Sequence, residues 1–474
     1  MHNKKKVILV RYHNTGNINT RLPESLNRVQ GVLPPLGIAY IAAVLEKNGI
    51  TTQIIDAPGL NMTSQEFKEA IQREKPDIVG IACMTSNIHG ALEAAKICKE
   101  NGAITVLGGP QLAVYPEETV SYPYVDFGII GEGEYSMLKL VQSIEAEKDI
   151  SSIRGLIYKK GKKIITNEAQ IIDNLDELPF PAYHLLPMNR YSSVIGLHPV
   201  CTMITSRGCP YQCGFCFKQP TDKRFRMRSP KNIVDEMEYL IKKYGVKEIM
   251  FYDDTISVMR EHVEGICKEI INRELKIKWE SPTRIDLVDE ELLKLMKKAG
   301  CIRLRYGVES GDPVILKLMN KQITLDRAVH VFDMTRKIGI ESFAYFIIGY
   351  ITETPETMQR TIDFAKKLDS DFAMFTIATP YPKTSLFSLS VERKLIDPDY
   401  WKKFVLSKDV GRMPYLVPDA EKWMKKAYRS FYLRPRFILR KVLQLKSINA
   451  LKKYVRGAWG LVWFSMTPDQ ETND

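Results

Sequence analysis

Short apolar runs punctuate the first 145 positions at Val7–Val10, Gln53–Asp56, Ile78–Ala82, Ile104–Leu107 and Val125–Ile130, each with the length of a strand. Segments with helical spacing separate them. Pro35–Asn48 opens on proline and is followed by Gly49. Ser64 is read as the cap of a helix whose Phe67, Ala70 and Ile71 share one face and which Pro76 ends. His89–Asn101 is the third helix. Such alternation predicts an α/β unit over 1–145, with a doubly wound parallel sheet.

Residues 146–195 read as a linker. Gly155–Tyr158 and Lys163–Thr166 form a hairpin within it, and Asp176–Ala182 is proline-rich. From 196 to 405 the alternation resumes. Val200–Thr205 starts it, and a helix follows with Ile233, Met237, Leu240 and Ile241 on one face. Strands are expected at Glu248–Tyr252, Ile277–Glu280, Ile302–Tyr306, Phe343–Ile348 and Phe372–Ile377. Six strand–helix units predict an open partial barrel, with functional groups at the strand C-termini. A basic amphipathic helical region, 406–474, ends the chain.

Charge changes the picture only in that last region. The net charge of the 474 residues is +12, and Lys422 to Arg456 holds twelve Lys/Arg and no acid. The remainder is near neutral, so nucleic acid is not expected as a general partner. In the 422–464 segment Phe431, Phe437 and Leu445 interleave with the basic residues, and Trp459 and Trp463 follow. That pattern suits an anionic membrane surface, a helix packed on the protein with its charges solvated, or RNA phosphates. No apolar run is long enough to span a bilayer. The basic-then-apolar start lacks a small-residue cleavage site, and the eight cysteines carry no secretory context. Both point to a reducing cytoplasm, with the inner membrane face as the site of any peripheral contact.

The densest chemistry is Cys209-Pro-Tyr-Gln-Cys213-Gly-Phe215-Cys216, directly after a strand. Thiolates hold iron–sulfur clusters, and a cubane normally takes four. Three close together leave one iron open for a ligand. A structural zinc site would ask for a fourth partner, and no second CxxC occurs. Cys83, Cys98, Cys201, Cys267 and Cys301 read as small core residues.

Ser206–Phe217, with this triplet, resembles the radical S-adenosylmethionine (SAM) superfamily. The resemblance implies a [4Fe–4S] cluster on Cys209, Cys213 and Cys216, and SAM chelated to the open iron. SAM cleavage then gives a 5′-deoxyadenosyl radical that abstracts hydrogen from the substrate. It also implies SAM contacts from Phe215, from Asp253 and Asp254 in Phe-Tyr-Asp-Asp-Thr, from Glu309 and Ser310 in Gly-Val-Glu-Ser-Gly, and from Gly349. The family's Gly-x-Pro-Gly-Glu-Thr reads Gly349-Tyr-Ile-Thr-Glu-Thr354 here, so the turn lacks its Pro-Gly. Arg303 and Arg305 alternate on one strand face, within reach of SAM or an acidic substrate, or solvated at a sheet edge. Thr379–Thr384 is placed at the substrate mouth.

The first unit lacks G-x-G-x-x-G after its first strand, which lowers a nicotinamide reading. Its strand ends carry Thr85-Ser86, Gly108-Gly109-Pro110 and Gly131-Glu132-Gly-Glu134. Together with Pro34–Ala42 these resemble the cobalamin-binding domain that precedes many radical SAM cores. Thr85, Ser86, Gly108, Gly109, Gly131 and Glu132 are the implied cobalamin contacts. The lower-ligand signature Asp-x-His-x-x-Gly is reduced to His13-x-x-Gly16, which leaves His13 as a cobalt ligand without its usual acidic neighbour. The combined resemblance implies a cobalamin-dependent methyltransferase. Its substrate would be small or lipid-like, and its electron donor of the flavodoxin or ferredoxin type. The alternative is a cyclase or carbon-skeleton rearrangement enzyme of the anaerobic tetrapyrrole kind.

Overall fold

A computed structural model describes residues 5–13, 32–193, 195–219, 221 and 224–443. The first sheet has seven strands: β1 (Val7–Arg11), β2 (Thr52–Asp56), β3 (Ile78–Ala82), β4 (Ile104–Gly108), β5 (Phe127–Ile129), β6 (Leu156–Lys160) and β7 (Lys163–Thr166). Their order is β2-β1-β3-β4-β5-β6-β7. The first five are parallel, and β6 and β7 add an antiparallel edge. The hairpin expected inside a linker therefore belongs to this sheet, which continues to Thr166.

Two local expectations shift. Thr63, not Ser64, caps the helix Ser64–Glu74. Its side chain accepts the Glu66 N–H, and Glu66 reaches back to the Thr63 N–H, a reciprocal capping box. Ser64 is the first helical residue and accepts the Tyr12 hydroxyl at 2.8 Å. Strand β5 starts at Phe127 rather than Val125. Asp126 turns out of the ladder to accept the Thr105 N–H at 2.9 Å and the Lys99 ammonium at 2.6 Å.

The second sheet is the open barrel: β8 (Val200–Met203), β11 (Glu248–Phe251), β12 (Lys278–Thr283), β13 (Cys301–Glu309), β14 (Glu341–Ile348) and β15 (Phe372–Ile377). A small antiparallel pair, β9 (Ser206–Arg207) and β10 (Arg226–Met227), interrupts the count. All six barrel strands are parallel, in the order β15-β14-β13-β12-β11-β8. Leu304, Tyr306 and Val308 on β13, with Ala344, Phe346 and Ile348 on β14, are buried with Ile233, Met237, Leu292, Phe332 and Ile362 of the surrounding helices. The alternate residues, Arg303, Arg305 and Gly307 on β13 and Glu341, Phe343 and Tyr345 on β14, turn to the barrel interior.

The floor of that interior is charged. Arg303 is buried and pairs with Glu280, with Glu341 at 2.7 Å and with Glu248 at 3.5 Å. It also donates to the Ile195 carbonyl at 3.3 Å, while Leu197 N–H donates to Glu248 at 2.7 Å. Arg303 is thus neither solvated nor at a sheet edge, and its partners use it fully. Arg305, one layer higher, donates to the Phe251 carbonyl at 2.6 Å.

The described part of the tail is built onto the barrel. The helix Ala420–Tyr432 lies against β15, and the helix Pro435–Leu443 follows it. Met424, Ala427, Tyr428 and Phe431 are buried. Ile438, Leu439 and Leu443 are exposed. Residues 444–464 of the basic segment lie outside the described residues. No helix among the described residues is long and apolar enough to cross a membrane.

Candidate functional site

The carboxyl ends of the two sheets meet. Glu132, just past β5, accepts Arg226 at 2.8 Å and Arg207 at 3.0 Å, and Glu134 accepts Arg207 at 2.6 Å. On the other side Lys383, past β15, donates to the Ala113 carbonyl at 2.6 Å, and Lys402 pairs with Glu118 at 3.2 Å. Strand ends of parallel α/β sheets are where ligands bind. Here two sets face one another across the same space.

The cysteine loop lies at the end of the first barrel strand and is tied down from three directions. Gly214 N–H donates to the Met319 carbonyl at 2.9 Å, and its own carbonyl accepts Leu386 N–H at 2.8 Å. Asn320 donates to the Gln212 carbonyl at 2.8 Å. Arg284, fixed by Asp286 at 2.9 Å, stacks 3.7 Å above the Tyr211 ring. Lys218 donates to the Cys209 carbonyl at 2.9 Å. Cys209 is buried, Cys213 half-buried and Cys216 exposed, so the thiols run from the barrel wall to the open space. None of the eight cysteines is in a disulfide. Among the described residues no three His, Cys, Asp or Glu converge on a single ion. A cubane instead places each thiolate on its own iron, and three thiols on a loop held in this way fit one.

The carboxylates expected around SAM separate into two classes. Asp254 is exposed and, with Lys218, acts electrostatically on Cys216, so it faces the loop. Asp253 does not. It is buried and accepts the Thr205 N–H at 2.8 Å, the Ser206 hydroxyl at 2.6 Å and the Thr205 hydroxyl. Burial pushes its pKa up to about 6 against those hydrogen bonds. Thr205 in turn meets His262 at 2.9 Å, whose pKa burial lowers to about 4. Asp253 therefore braces β8 against β11.

Glu309 stands at the end of β13 with φ +68° and pairs with Lys321 at 2.7 Å, both side chains buried. A side chain at Gly307 would meet Glu309 Oε1 at 2.3 Å and Lys321 Nζ at 2.6 Å, so any larger residue there would displace the pair. Lys321 was not foreseen, because nothing in Met319-Asn-Lys321 marks it. Ser310 is fully buried. Its hydroxyl meets Thr361 at 3.1 Å and accepts Asp312 N–H at 3.1 Å, which places it inside the turn. Gly349 has φ +77°, and a Cβ there would stand 2.8 Å from the Ala420 Cβ. It therefore lies under the C-terminal helix. Phe215 packs against Ile315, Met319 and Leu386.

The altered turn after β14 is held by Glu353. Its carboxylate accepts Gly349 N–H at 2.7 Å and Tyr350 N–H at 2.9 Å. Thr352 takes the left-handed position itself, at φ +73°. Burial raises Glu353 to about 7.

On the first sheet, Gly109 has φ +119°, and a Cβ there would collide with the Cys83 carbonyl at 2.6 Å. Gly108 beside it borders open space. Thr85 and Ser86 form a half-buried turn on the neighbouring strand end. A Cβ on Gly131, at φ +83°, would stand 3.0 Å from the Gln170 carbonyl and 3.3 Å from Thr221. Gly109 and Gly131 are thus fixed by contacts within the chain, and Gly108 is the glycine at which a large ligand could approach the backbone closely. Glu132 departs from the expectation. Its carboxylate belongs to the Arg207–Arg226 cluster and also accepts Ile172 N–H. His13 Nε2 is buried without a hydrogen-bond partner in the described structure, and its Gly16 lies outside the described residues.

Residues 203–365 match the radical SAM superfamily, and residues 26–141 match the B12 binding domain. An uncharacterised methyltransferase of Pyrococcus horikoshii is 35% identical over 440 residues, covering 91% of this chain and 95% of the relative. The anaerobic magnesium-protoporphyrin IX monomethyl ester cyclase of Rubrivivax gelatinosus is 32% identical over 370 residues, 76% of this chain and 66% of that protein. The solved structure of OxsB, a cobalamin-dependent SAM radical enzyme with aqua-cobalamin bound, superposes with a TM-score of 0.72 at 18% identity, covering 98% of this chain and 72% of that one.

Proposed function

The chain belongs to the cobalamin-binding radical SAM enzymes, and from that premise we propose that it methylates an unactivated carbon of a small or lipid-like substrate. The observation that carries this reading is the meeting of the two strand-end surfaces. The cysteine loop stands on one and Gly108, beside the Thr85–Ser86 turn, on the other, with Glu132, Arg207 and Arg226 clasping them together. Methyl transfer needs both surfaces at one substrate.

Bound there, the cluster with SAM supplies a hydrogen-abstracting 5′-deoxyadenosyl radical, and cobalamin supplies a transferable methyl group. Cys209, Cys213 and Cys216 would hold the cluster. Asp254 and the Lys321-paired Glu309 would orient SAM through its polar groups. Gly108, with Thr85 and Ser86, would receive cobalamin. Arg303 and its three acids close the barrel floor, so water is excluded from below and the substrate enters between the domains. The interior wall above the floor is Tyr252, Phe343, Tyr345 and Arg305, a largely aromatic surface with one guanidinium. It suits a small organic molecule.

An external one-electron donor of the flavodoxin or ferredoxin type completes the set. Three cluster thiolates and five further cysteines outside any disulfide suit a reducing cytoplasm. The exposed ridge Ile438, Leu439 and Leu443, followed by the basic remainder of the 422–464 segment, is assigned to contact with an anionic inner membrane face, where a lipid-like substrate would be found. A cyclase or rearrangement is the second reading, favoured by the 32% identity to a cyclase of which this chain spans 66%.

The deciding experiment is anaerobic. The protein is reconstituted with iron, sulfide and hydroxocobalamin, then given SAM, a reductant and a cell-extract substrate pool. Paired 5′-deoxyadenosine and S-adenosylhomocysteine are expected, and Cys213→Ala abolishes both. Deoxyadenosine without S-adenosylhomocysteine overturns methyl transfer in favour of the cyclase reading.

A further inference from the structure

Tyr350 follows the end of β14, with its ring in an apolar cluster made by Ile315, Met319, Ile351 and Leu386. The residue is wholly buried, and its hydroxyl has no hydrogen-bond partner among the described residues. An unpartnered buried hydroxyl is destabilising, and such groups are rare in folded proteins. Phenylalanine would fill the same apolar cluster without that cost. The oxygen therefore calls for a partner that the described residues do not themselves supply.

Its position says what that partner is. A methyl carbon placed on Gly214 would stand 3.1 Å from the Tyr350 oxygen. Gly214 lies between Cys213 and Cys216 in a loop fixed by the Met319 carbonyl and the Leu386 N–H. The hydroxyl thus points at the backbone that carries two of the three thiols. Among the described residues no other polar atom bonds it. Gly214 also explains itself: any larger residue would press on this oxygen.

We propose that Tyr350 donates a hydrogen bond to sulfur at the iron–sulfur cluster, either the Cys213 thiolate or a neighbouring sulfide, and so raises the cluster's reduction potential. This rests on the reading of Cys209, Cys213 and Cys216 as cluster ligands. Reduction adds negative charge to the cluster, and a donor aimed at its sulfur stabilises the reduced form more than the oxidised one. Tyr350 is a positioning and tuning residue. It takes no part in binding iron.

The test is Tyr350→Phe, read by potential rather than turnover. Wild type and Y350F are reconstituted anaerobically, assayed for iron and sulfide, and titrated by EPR against redox mediators. Equal iron content is expected, with the reduced-to-oxidised ratio at fixed poise about tenfold lower in Y350F. At 59 mV per tenfold for one electron, that is a midpoint about 60 mV more negative. Pulsed EPR in deuterated buffer is expected to show an exchangeable deuteron near the cluster in wild type and to lose it in Y350F. Without the cluster, Y350F is expected to melt no lower than wild type, which a purely structural hydroxyl would not allow. Full iron content with an unchanged midpoint and an unchanged deuteron signal overturns the proposal alone. A wild-type protein that holds no iron overturns the cluster reading, and the proposal with it.

Discussion

The hydroxyl of Tyr432 meets both backbone groups of Ala373, donating to its carbonyl at 2.7 Å and accepting its N–H at 2.9 Å. Tyr428 does the same for Phe375, at 3.1 and 3.2 Å. Four residues of helix rise about 6 Å and two residues of strand about 6.6 Å, so successive turns of one helix face can serve alternate residues of an edge strand. β15 is the edge of the open barrel. The C-terminal helix closes that edge with side chains where a seventh strand would close it with backbone.

Removing either hydroxyl strands a buried N–H and a buried carbonyl together. Tyr432→Phe is expected to lower stability by about 2 kcal/mol, and the double variant Tyr428→Phe/Tyr432→Phe by more. Urea denaturation of the protein measures both. A loss below about 0.5 kcal/mol for Y432F would show that water replaces the phenol at this edge.

Thr352 holds φ +73° where the related motif has glycine. A β-branched residue there carries roughly 1–3 kcal/mol of strain, while glycine gives back about 0.5–1 kcal/mol through the freedom of the unfolded chain. Relief wins. Thr352→Gly is expected to raise stability by about 1 kcal/mol, seen as a higher melting temperature with unchanged iron content.

How much of this was legible beforehand varied with the distance over which the signal acts. The strands of both sheets were visible because buried parallel strands are written as local apolar runs. The cysteine loop was visible because its three thiols lie within eight residues. Glu132 was assigned to a ligand because glycine-flanked acids at a strand end look alike whatever they touch. Its partners Arg207 and Arg226 are 75 and 94 residues away, and no local pattern announces them. Asp253 and Asp254 are adjacent, yet one braces a strand and the other faces the thiols. Only the alternation of the chain past β11, fixed in three dimensions, tells them apart. The tail was set apart from the barrel because its charges dominate its composition, while the two tyrosines that dock it carry no signal until β15 is known to be an edge.

Glu353 gives a pH dependence with a definite sign. Burial raises its pKa in the folded protein to about 7, from 4.5 in the open chain. The folded state then binds the proton more tightly, so its contribution is complete below about pH 4.5 and is lost as pH rises through about 7. Glu353→Gln keeps an acceptor for the Gly349 and Tyr350 N–H groups and cannot ionise. It is expected to gain on wild type between pH 5 and 8, with urea midpoints converging at the acid end. Parallel midpoint curves for the two proteins would assign the wild-type slope to another group, with Asp253 next in line.

Lys321 and Glu309 form a buried ion pair at the end of β13, where the proposed function places SAM. Each is buried, and each is the other's charge partner at 2.7 Å. Lys321→Met leaves a carboxylate uncompensated in a closed space, which costs about 3–5 kcal/mol. Neutralising the second partner removes that penalty, so Lys321→Met/Glu309→Gln is expected to recover most of the loss. The two outcomes separate folding from binding. If Glu309 orients SAM, the double variant regains stability and still binds SAM at least tenfold more weakly than wild type, by equilibrium dialysis of the reconstituted protein. If the pair is only a strut beneath the cysteine loop, stability and SAM affinity return together.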